Sequence, residues 1–164
     1  MVRFHDSSID GREINMEHGK YGDDFQVGDV YTTASITVTE THVVNWAGLT
    51  MDFYPLHMDK EYAAKTEFGE RLVHGPLIFA LAVGLVGSAG FAGDAAVAWL
   101  GANNMRMLAP VKIGDTVTVI VEVIEKKPTS RLERGIQVWR YTVKNQNRAS
   151  VMVFDYTMMF HMRA

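Results

Sequence analysis

The second half of the chain alternates between apolar and polar side chains with a period of two. Valines occupy every second position from 117 to 123 within the segment 116–125. This period is typical of a β-strand that presents one face to a hydrophobic core. Further segments rich in β-branched and aromatic residues predict strands at 30–39, 95–107, 135–144 and 150–161. Long strands joined by short polar connections favour antiparallel pairing.

A long uncharged segment follows the first predicted strand. No charged residue occurs from position 76 to position 93, and Pro76 suits the first turn of a helix, so we predict a helix from Pro76 to about residue 88. The segment is long enough to raise the question of a membrane span, but it is rich in Gly and Ala and has no aromatic or basic flanks. We therefore expect it to be buried in protein.

These elements predict the α+β class. A strongly curved antiparallel sheet of about five strands, wrapped around the long central apolar helix, would bury the apolar faces of both. Shorter helices are predicted at 41–50 and 60–66, the second with Asp59 as its N-cap. Residues 1–24 are polar and Gly-rich and predict an N-terminal arm, and the length of 164 residues suits a single domain, 1–164.

Composition and charge exclude several classes of function. The chain is 48% hydrophobic and 21% charged, which is typical of a globular protein. Its net charge of −3, without a basic cluster, gives no support for binding to nucleic acid or to an anionic membrane. Because there is no Cys, disulfides, thiolate catalysis and Cys-rich zinc sites are excluded. The polar first residues do not resemble a signal peptide, so we expect a cytoplasmic protein.

A carboxylate and an imidazole flank a proline in the segment before the long helix. Asp52 and His57 stand five positions apart with Pro55 between them. Pro55 disfavours a continuous helix, so we predict an irregular turn in which the two side chains can converge. A carboxylate beside an imidazole can activate water and transfer protons near neutral pH. The alternative is structural, with Asp52 closing a loop.

A second signal lies at the start of the long helix, in His74-Gly75-Pro76. Gly75 allows close approach to its backbone, and it would lie at the helix N-terminus. Free N–H groups and the helix dipole favour negative charge there, so the Gly75 amide could stabilise an oxyanion. An ordinary buried helix start remains the alternative.

Together these segments resemble the MaoC-like dehydratases, the family that contains the R-specific enoyl-CoA hydratases. The family motif runs roughly Gly-Asp-x-Asn-Pro-Leu/Ile-His, then x-Asp, a short Ala-containing helix, Phe-Gly and Val/Ala-His-Gly. This chain has Met-Asp-Phe-Tyr-Pro-Leu-His-Met-Asp at 51–59, Tyr-Ala-Ala at 62–64, Phe-Gly at 68–69 and Val-His-Gly at 73–75. The ordered combination is more specific than any single piece.

The resemblance implies a hot-dog fold and the reversible addition of water to a trans-2-enoyl thioester, most simply an acyl-CoA, without a cofactor. It implies that Asp52 and His57 are the catalytic pair and that the Gly75 N–H binds the enolate oxygen. His74 would line the substrate pocket or support it from behind, in preference to carrying a proton, and Tyr54 would line the acyl end of the pocket. Because family members place the acyl tunnel between two subunits, it also implies a homodimer.

Two positions depart from the motif: Met51 stands where Gly is usual, and Tyr54 stands where Asn is usual. Because of these departures, the motif does not indicate which acyl group the protein accepts. They also keep two alternatives, a hot-dog thioesterase and a non-catalytic acyl-CoA-binding or dimer-stabilising subunit. A metal site is disfavoured, because no spacing among its possible ligands matches a helix ligand pair. Those possible ligands are Asp52, His57, Asp59 and His74.

Overall fold

A computed structural model of the chain describes residues 21–163. The elements in chain order are β1 (Val30–Thr32), β2 (Ile36–Thr37), α1 (Glu40–Thr50), α2 (Pro55–Met58), α3 (Lys60–Ala63), α4 (Gly75–Ala89), β3 (Ala96–Met107), β4 (Thr116–Pro128), β5 (Arg134–Lys144) and β6 (Ser150–His161). Short 3-10 turns precede β1 and β3. Most of the predicted N-terminal arm, 1–24, lies outside the described residues, and the prediction of a single domain over 1–164 stays a prediction.

The strands form an antiparallel sheet in the order β1-β4-β5-β6-β3, and β2 pairs with the beginning of β4. The predicted antiparallel sheet is confirmed, and within residues 21–163 it has six strands in place of about five. The additional strand arises because the predicted segment 30–39 is divided into β1 and β2. At the division the Thr33 hydroxyl accepts a hydrogen bond from the Val119 N–H at 3.0 Å.

The core lies between one face of the sheet and the helix α4. The alternating valines of β4 are buried, as predicted from their period of two. Large aromatic side chains from the neighbouring strands complete the sheet side of the core, and each contributes roughly 1.5–3 kcal/mol by its burial. These buried residues are Trp139, Tyr141, Phe154 and Phe160. The core therefore holds α4 in a fixed position on the sheet.

The helix α4 extends one residue beyond the predicted segment at each end. It ends at Gly90, which adopts the left-handed conformation with φ 67°. Its inner face is buried against the sheet, whereas its outer face, which includes Gly84 and Gly87, is exposed among the described residues. No helix within 21–163 combines the length and the apolar character that a membrane span requires.

Among the strands that the structure describes, β3 is at one edge of the sheet and pairs with β6 alone. Its register shifts near Gly101 and again after Asn103. Large apolar side chains along and just beyond β3 are exposed, namely Val97, Trp99, Leu100, Met105, Met107 and Leu108. The C-terminal end of β3 lies beside the start of α4, where Met107 approaches Gly75.

Candidate active site

The segment that carries Asp52 begins at an unusual helix end. The helix α1 is followed by Met51, which adopts the left-handed conformation (φ 64°, ψ 17°) and donates its N–H to the Ala47 carbonyl at 2.8 Å. A residue in this conformation turns the chain sharply away from the helix axis. Met51 thus directs Asp52 away from α1 and toward the helices that follow.

The predicted irregular turn between Asp52 and His57 is present only in its first half. A short helix, α2, begins at Pro55, so the prediction of irregular structure is wrong from Pro55 onward. Proline needs no hydrogen bond for its nitrogen at a first helical position, and its fixed φ suits that position. The turn at 52–54 and the helix α2 together bring the side chains of Asp52 and His57 close to each other.

The side chain of Asp52 is accessible and accepts one local hydrogen bond. Its Oδ1 accepts from the Tyr54 N–H at 3.3 Å. Its Oδ2 lies 4.0 Å from His74 Nε2, and the side chain is 43% exposed. One carboxylate oxygen is therefore available to a water molecule or to a substrate.

The ring of His57 is held in one tautomer by a backbone carbonyl. Its Nδ1 lies 2.8 Å from the Leu72 carbonyl oxygen. Because a carbonyl oxygen only accepts, Nδ1 carries the proton, and in the neutral ring Nε2 has a free lone pair. That nitrogen can accept a proton from water. No sequence pattern predicts this contact, since any residue at position 72 supplies the same carbonyl.

The carboxylate of Asp52 and a ring nitrogen of His57 lie within 4.8 Å of one another, as predicted for a pair that shares one water. Hydrogen bonds of about 2.8 Å from one bridging water span such a gap. A ring nitrogen of His74 lies within the same distance of both groups. The structure therefore brings together three of the residues that the sequence singled out.

His74 is buried, with 1% of its surface exposed, and it immediately precedes α4. Its Nε2 lies 3.0 Å from the Asp52 carbonyl oxygen, and its ring stacks on that of His57 with a centroid distance of 3.9 Å. Burial lowers the pKa of His74 below its usual value and outweighs the opposite effect of its hydrogen bond to the Asp52 carbonyl. His74 is therefore neutral near pH 7.

Within the described part of the chain, the first turn of α4 has one backbone donor without a partner, at Gly75. Pro76 has no N–H, and the N–H groups of Leu77 and Ile78 donate to the His74 carbonyl at 3.1 and 3.2 Å. None of the hydrogen bonds among residues 21–163 uses the Gly75 N–H. A side chain at position 75 would place its Cβ 3.5 Å from the Met107 sulfur. Gly75 thus offers an amide in a confined position next to His74.

The proximity of Asp52, His57 and His74 also raises the possibility of a metal site. The two imidazole rings stack with an angle of 30° between their planes, so their lone pairs do not converge on one point. His74 Nε2 is already used by the Asp52 carbonyl. Asp59 is not a member of the group, because its carboxylate accepts the N–H groups of Glu61 and Tyr62 as the predicted N-cap of α3. This geometry suits proton transfer better than metal binding.

Tyr54 lies at the exposed edge of the site. Its ring packs edge-on against His57 at 6.0 Å and against Tyr62 at 6.3 Å between centroids. The Tyr62 hydroxyl donates a hydrogen bond to Tyr54, which favours the neutral phenol and raises the pKa of Tyr62. The sequence singled out Tyr54 but not its partner Tyr62, nor Met107 beside Gly75. The edge position of Tyr54 is compatible with a contact to substrate, and that role stays a prediction.

The amino-acid sequence of the chain was compared with models of known protein families. Residues 24–145 match the family model described as a MaoC like domain. The chain belongs to the MaoC-like dehydratase family. This assignment confirms the resemblance that rests on the segments around Asp52, His57 and Gly75.

Named relatives of this MaoC-like chain include dehydratases and hydratases. It is 36% identical over 153 residues to protein MaoC of Klebsiella aerogenes, with 85% of this chain covered but only 44% of the relative's length. It is 36% identical over 114 residues to the 3-hydroxybutyryl-CoA dehydratase of Methylorubrum extorquens, covering 70% of each. It is 40% identical over 97 residues to the (R)-specific enoyl-CoA hydratase of Aeromonas caviae, covering 57% of this chain and 70% of that protein.

Solved structures confirm the hot-dog fold of the MaoC-like chain. A monoamine oxidase regulatory protein from Archaeoglobus superposes with a TM-score of 0.83 at 33% identity, covering 88% of this chain and 96% of the other. A Mycobacterium tuberculosis protein with a double hot-dog fold superposes with a TM-score of 0.77 at 22% identity, covering 88% of this chain and 45% of the other. At that identity the second likeness concerns the fold alone.

Proposed function

We propose that this MaoC-like protein adds water reversibly to a trans-2-enoyl thioester and forms a 3-hydroxyacyl thioester. The observation that carries this proposal is the approach within 4.8 Å of the Asp52 carboxylate and a His57 ring nitrogen. Both groups are held by backbone hydrogen bonds, so they face one another without substrate. The hydratases and dehydratases among the named relatives support the same reaction class.

The pair would bind one water molecule between the Asp52 carboxylate and the free Nε2 of His57. As the water oxygen bonds to the β-carbon of the enoyl group, one of the two side chains accepts a proton from the water. A proton is then delivered to the α-carbon, so that hydroxyl and hydrogen are added across the double bond and the enzyme is restored. A positioned acid–base pair of this kind accelerates a reaction by about 100-fold to 10,000-fold.

The thioester oxygen gains negative charge when water attacks the β-carbon, because the electrons of the double bond move toward the carbonyl. The Gly75 N–H would donate to this enolate oxygen. Pro76 has no N–H, and the N–H groups of the next two residues of α4 donate to the His74 carbonyl. The Gly75 N–H is therefore the donor that this helix start would offer to the enolate oxygen. Removing one donor of this type reduces turnover by about 100-fold to 1000-fold in other enzymes.

The acyl group would enter beside Tyr54, which replaces the usual Asn of the motif. Its phenol ring is larger than an amide and is fixed against His57 and Tyr62. We expect Tyr54 to restrict the shape of the acyl chain near the reacting carbons. CoA is the proposed carrier of the acyl group.

We further propose a homodimer. The strand β3 is an open edge and carries exposed apolar side chains, including Trp99 and Leu100. An edge strand of this kind is available for pairing with another chain. The outer face of α4 is uncharged and exposed among the described residues, so a second copy could cover both features.

A spectrophotometric assay with crotonyl-CoA and several branched enoyl-CoAs tests the reaction. Loss of the enoyl absorbance without release of free thiol is the expected result, and product analysis then gives the stereochemistry. Release of free thiol would identify a thioesterase and contradict the proposal. Binding of acyl-CoA without either change would identify a non-catalytic subunit and contradict it as well.

A further inference from the structure

His74 contacts both proposed proton-transfer residues from the buried side of the site. Its Nε2–H donates to the Asp52 carbonyl oxygen at 3.0 Å. The face of its ring lies 3.9 Å from that of His57. Because only 1% of its surface is exposed, His74 contacts the two residues from the interior of the protein. A side chain so enclosed is poorly placed to contact substrate. Of the two roles expected for His74, lining the pocket and supporting it from behind, the burial therefore favours the second.

The hydrogen bonds of His74 leave one of its atoms without a partner. Because Nε2 carries the proton, Nδ1 of the neutral ring is an acceptor, and this buried atom has no hydrogen-bond partner among the described residues. A buried acceptor without a donor is unfavourable for folding. A phenylalanine ring would fill the same space without that defect. The imidazole at position 74 is therefore not explained by packing.

We propose that His74 is a positioning residue, which fixes the backbone of Asp52 through Nε2–H and the ring of His57 through stacking. The kinetic part of this inference rests on the proposed hydration reaction. The arrangement itself does not, because the contacts are present in the folded chain. His74 would act through its two neighbours and would not carry a proton in the reaction.

The two contacts can be removed separately. His74→Phe keeps a ring against His57 but removes the donor to Asp52 and the unpaired Nδ1. His74→Gln keeps an N–H donor of similar reach but removes the stacked ring. In both variants we expect kcat to fall by about 10-fold to 100-fold, because small displacements of catalytic groups have effects of this size, while KM changes little. We also expect His74→Phe to melt at or above the temperature of the parent protein.

A variant that is stable yet slow distinguishes positioning from simple support of the fold. Parental kcat in both variants would overturn the proposal. A raised KM with unchanged kcat would also overturn it and would indicate a substrate contact. Loss of turnover to the level of a His57→Ala variant would overturn it in favour of a proton carrier.

Nuclear magnetic resonance of the ¹⁵N-histidine-labelled protein tests the arrangement without any assay. Long-range ¹H–¹⁵N spectra at pH 7.5 should show His74 protonated on Nε2 and His57 protonated on Nδ1. The His57 ring signals should shift in both His74 variants. If the parent protein hydrates no enoyl thioester, the proposed function fails while these spectra still decide the arrangement. Unchanged His57 signals in both variants, or a His74 protonated on Nδ1, would overturn the positioning role.

Discussion

The Asp52 carboxylate and the His57 ring lie within 4.8 Å of each other although Pro55 separates them in the chain. The approach depends on two local features, the turn that ends at Tyr54 and the short helix that begins at Pro55. Each side chain is then fixed by a backbone group, the Tyr54 N–H for Asp52 and the Leu72 carbonyl for His57. The pair is thus arranged in the folded chain without a ligand, as the proposed proton transfer requires.

Removal of either member of the pair should abolish most of the activity. We expect Asp52→Asn and His57→Ala each to lower kcat by about 100-fold or more, because each substitution removes one proton-transfer group. Steady-state kinetics with the best enoyl-CoA measures the effect. Asp94→Asn, at an exposed turn before β3, is the matched control and should retain parental turnover. Near-normal turnover in both site variants would remove Asp52 and His57 from this role.

The sequence predicted the elements that depend on local pattern. The alternating valines of β4, the uncharged segment of α4 and the Asp59 cap each carry their signal within a few residues, and the structure has each of them. The antiparallel sheet also followed, since the strands are long and their connections are short. Local pattern thus accounted for the fold and for the neighbourhood of the site.

The remaining features depend on contacts between distant segments. The stacking of His57 on His74 and the Leu72 carbonyl at His57 join separate parts of the chain, so no local pattern reports them. The helix α1 ends at Thr50 as predicted, but the left-handed conformation of the next residue was not predicted, for a different reason. Gly is the residue that marks a left-handed helix end, and this chain has Met51 there.

Met51 should be a site where glycine stabilises the protein. It holds φ 64° although its side chain is 77% exposed, so little packing offsets a left-handed conformation that disfavours residues with a Cβ. After allowing for the greater freedom of glycine in the unfolded chain, we expect Met51→Gly to stabilise by roughly 0.5–1 kcal/mol. Thermal or urea unfolding measures the change.

The matched control is Leu49→Gly, which lies two residues earlier within α1 and is also exposed. Glycine inside a helix should destabilise by about 1 kcal/mol. Opposite signs for the two substitutions would support the assigned backbone conformation. Destabilisation by Met51→Gly would mean that the Met51 side chain makes a contact, for example in the proposed dimer, that outweighs its conformation.

Charge on the open edge strand should separate the proposed homodimer. Leu100 is exposed on β3, and a lysine there would have to be buried without a partner if a second copy covers this edge. We expect Leu100→Lys to shift the protein to the monomer in size-exclusion chromatography with light scattering. Leu132→Lys, in the loop between β4 and β5, should leave the dimer intact. A parent protein that is itself monomeric would contradict the dimer.

The stability of the fold should decrease in mildly acidic solution because of His74. Burial lowers its pKa in the folded state below 6.5, so the unfolded chain binds the proton more readily. The stability contributed by the neutral ring is present above pH 6.5 and is lost as the pH falls below that value toward the folded-state pKa. Asp52 and His57 are the titratable groups in contact with this ring.

Urea unfolding of the parent protein and of His74→Phe at several pH values between 7.5 and 5 isolates this effect, because the other histidines are common to both. We expect the free energy of unfolding of the parent to fall more steeply with acid than that of the variant. The difference should not exceed about 1.4 kcal/mol per pH unit, the limit for one proton. Parallel curves would contradict the assignment of a lowered pKa to His74.

The backbone amide of Gly75 can be tested with two substitutions, only one of which removes its N–H. Gly75→Pro removes the N–H, and proline is well suited to the first position of α4, which is preceded by extended backbone at His74 (φ −58°, ψ 131°). Gly75→Ala keeps the N–H and adds a Cβ at an ordinary contact distance of 3.5 Å from the Met107 sulfur. If the amide binds the enolate oxygen, Gly75→Pro should lower kcat by about 100-fold to 1000-fold, while Gly75→Ala should lower it far less.

Circular dichroism and thermal unfolding test whether both variants keep α4. Equal kinetic losses in the two variants would place the effect in the Cβ and its contact with Met107, and would exclude the amide as the oxyanion donor.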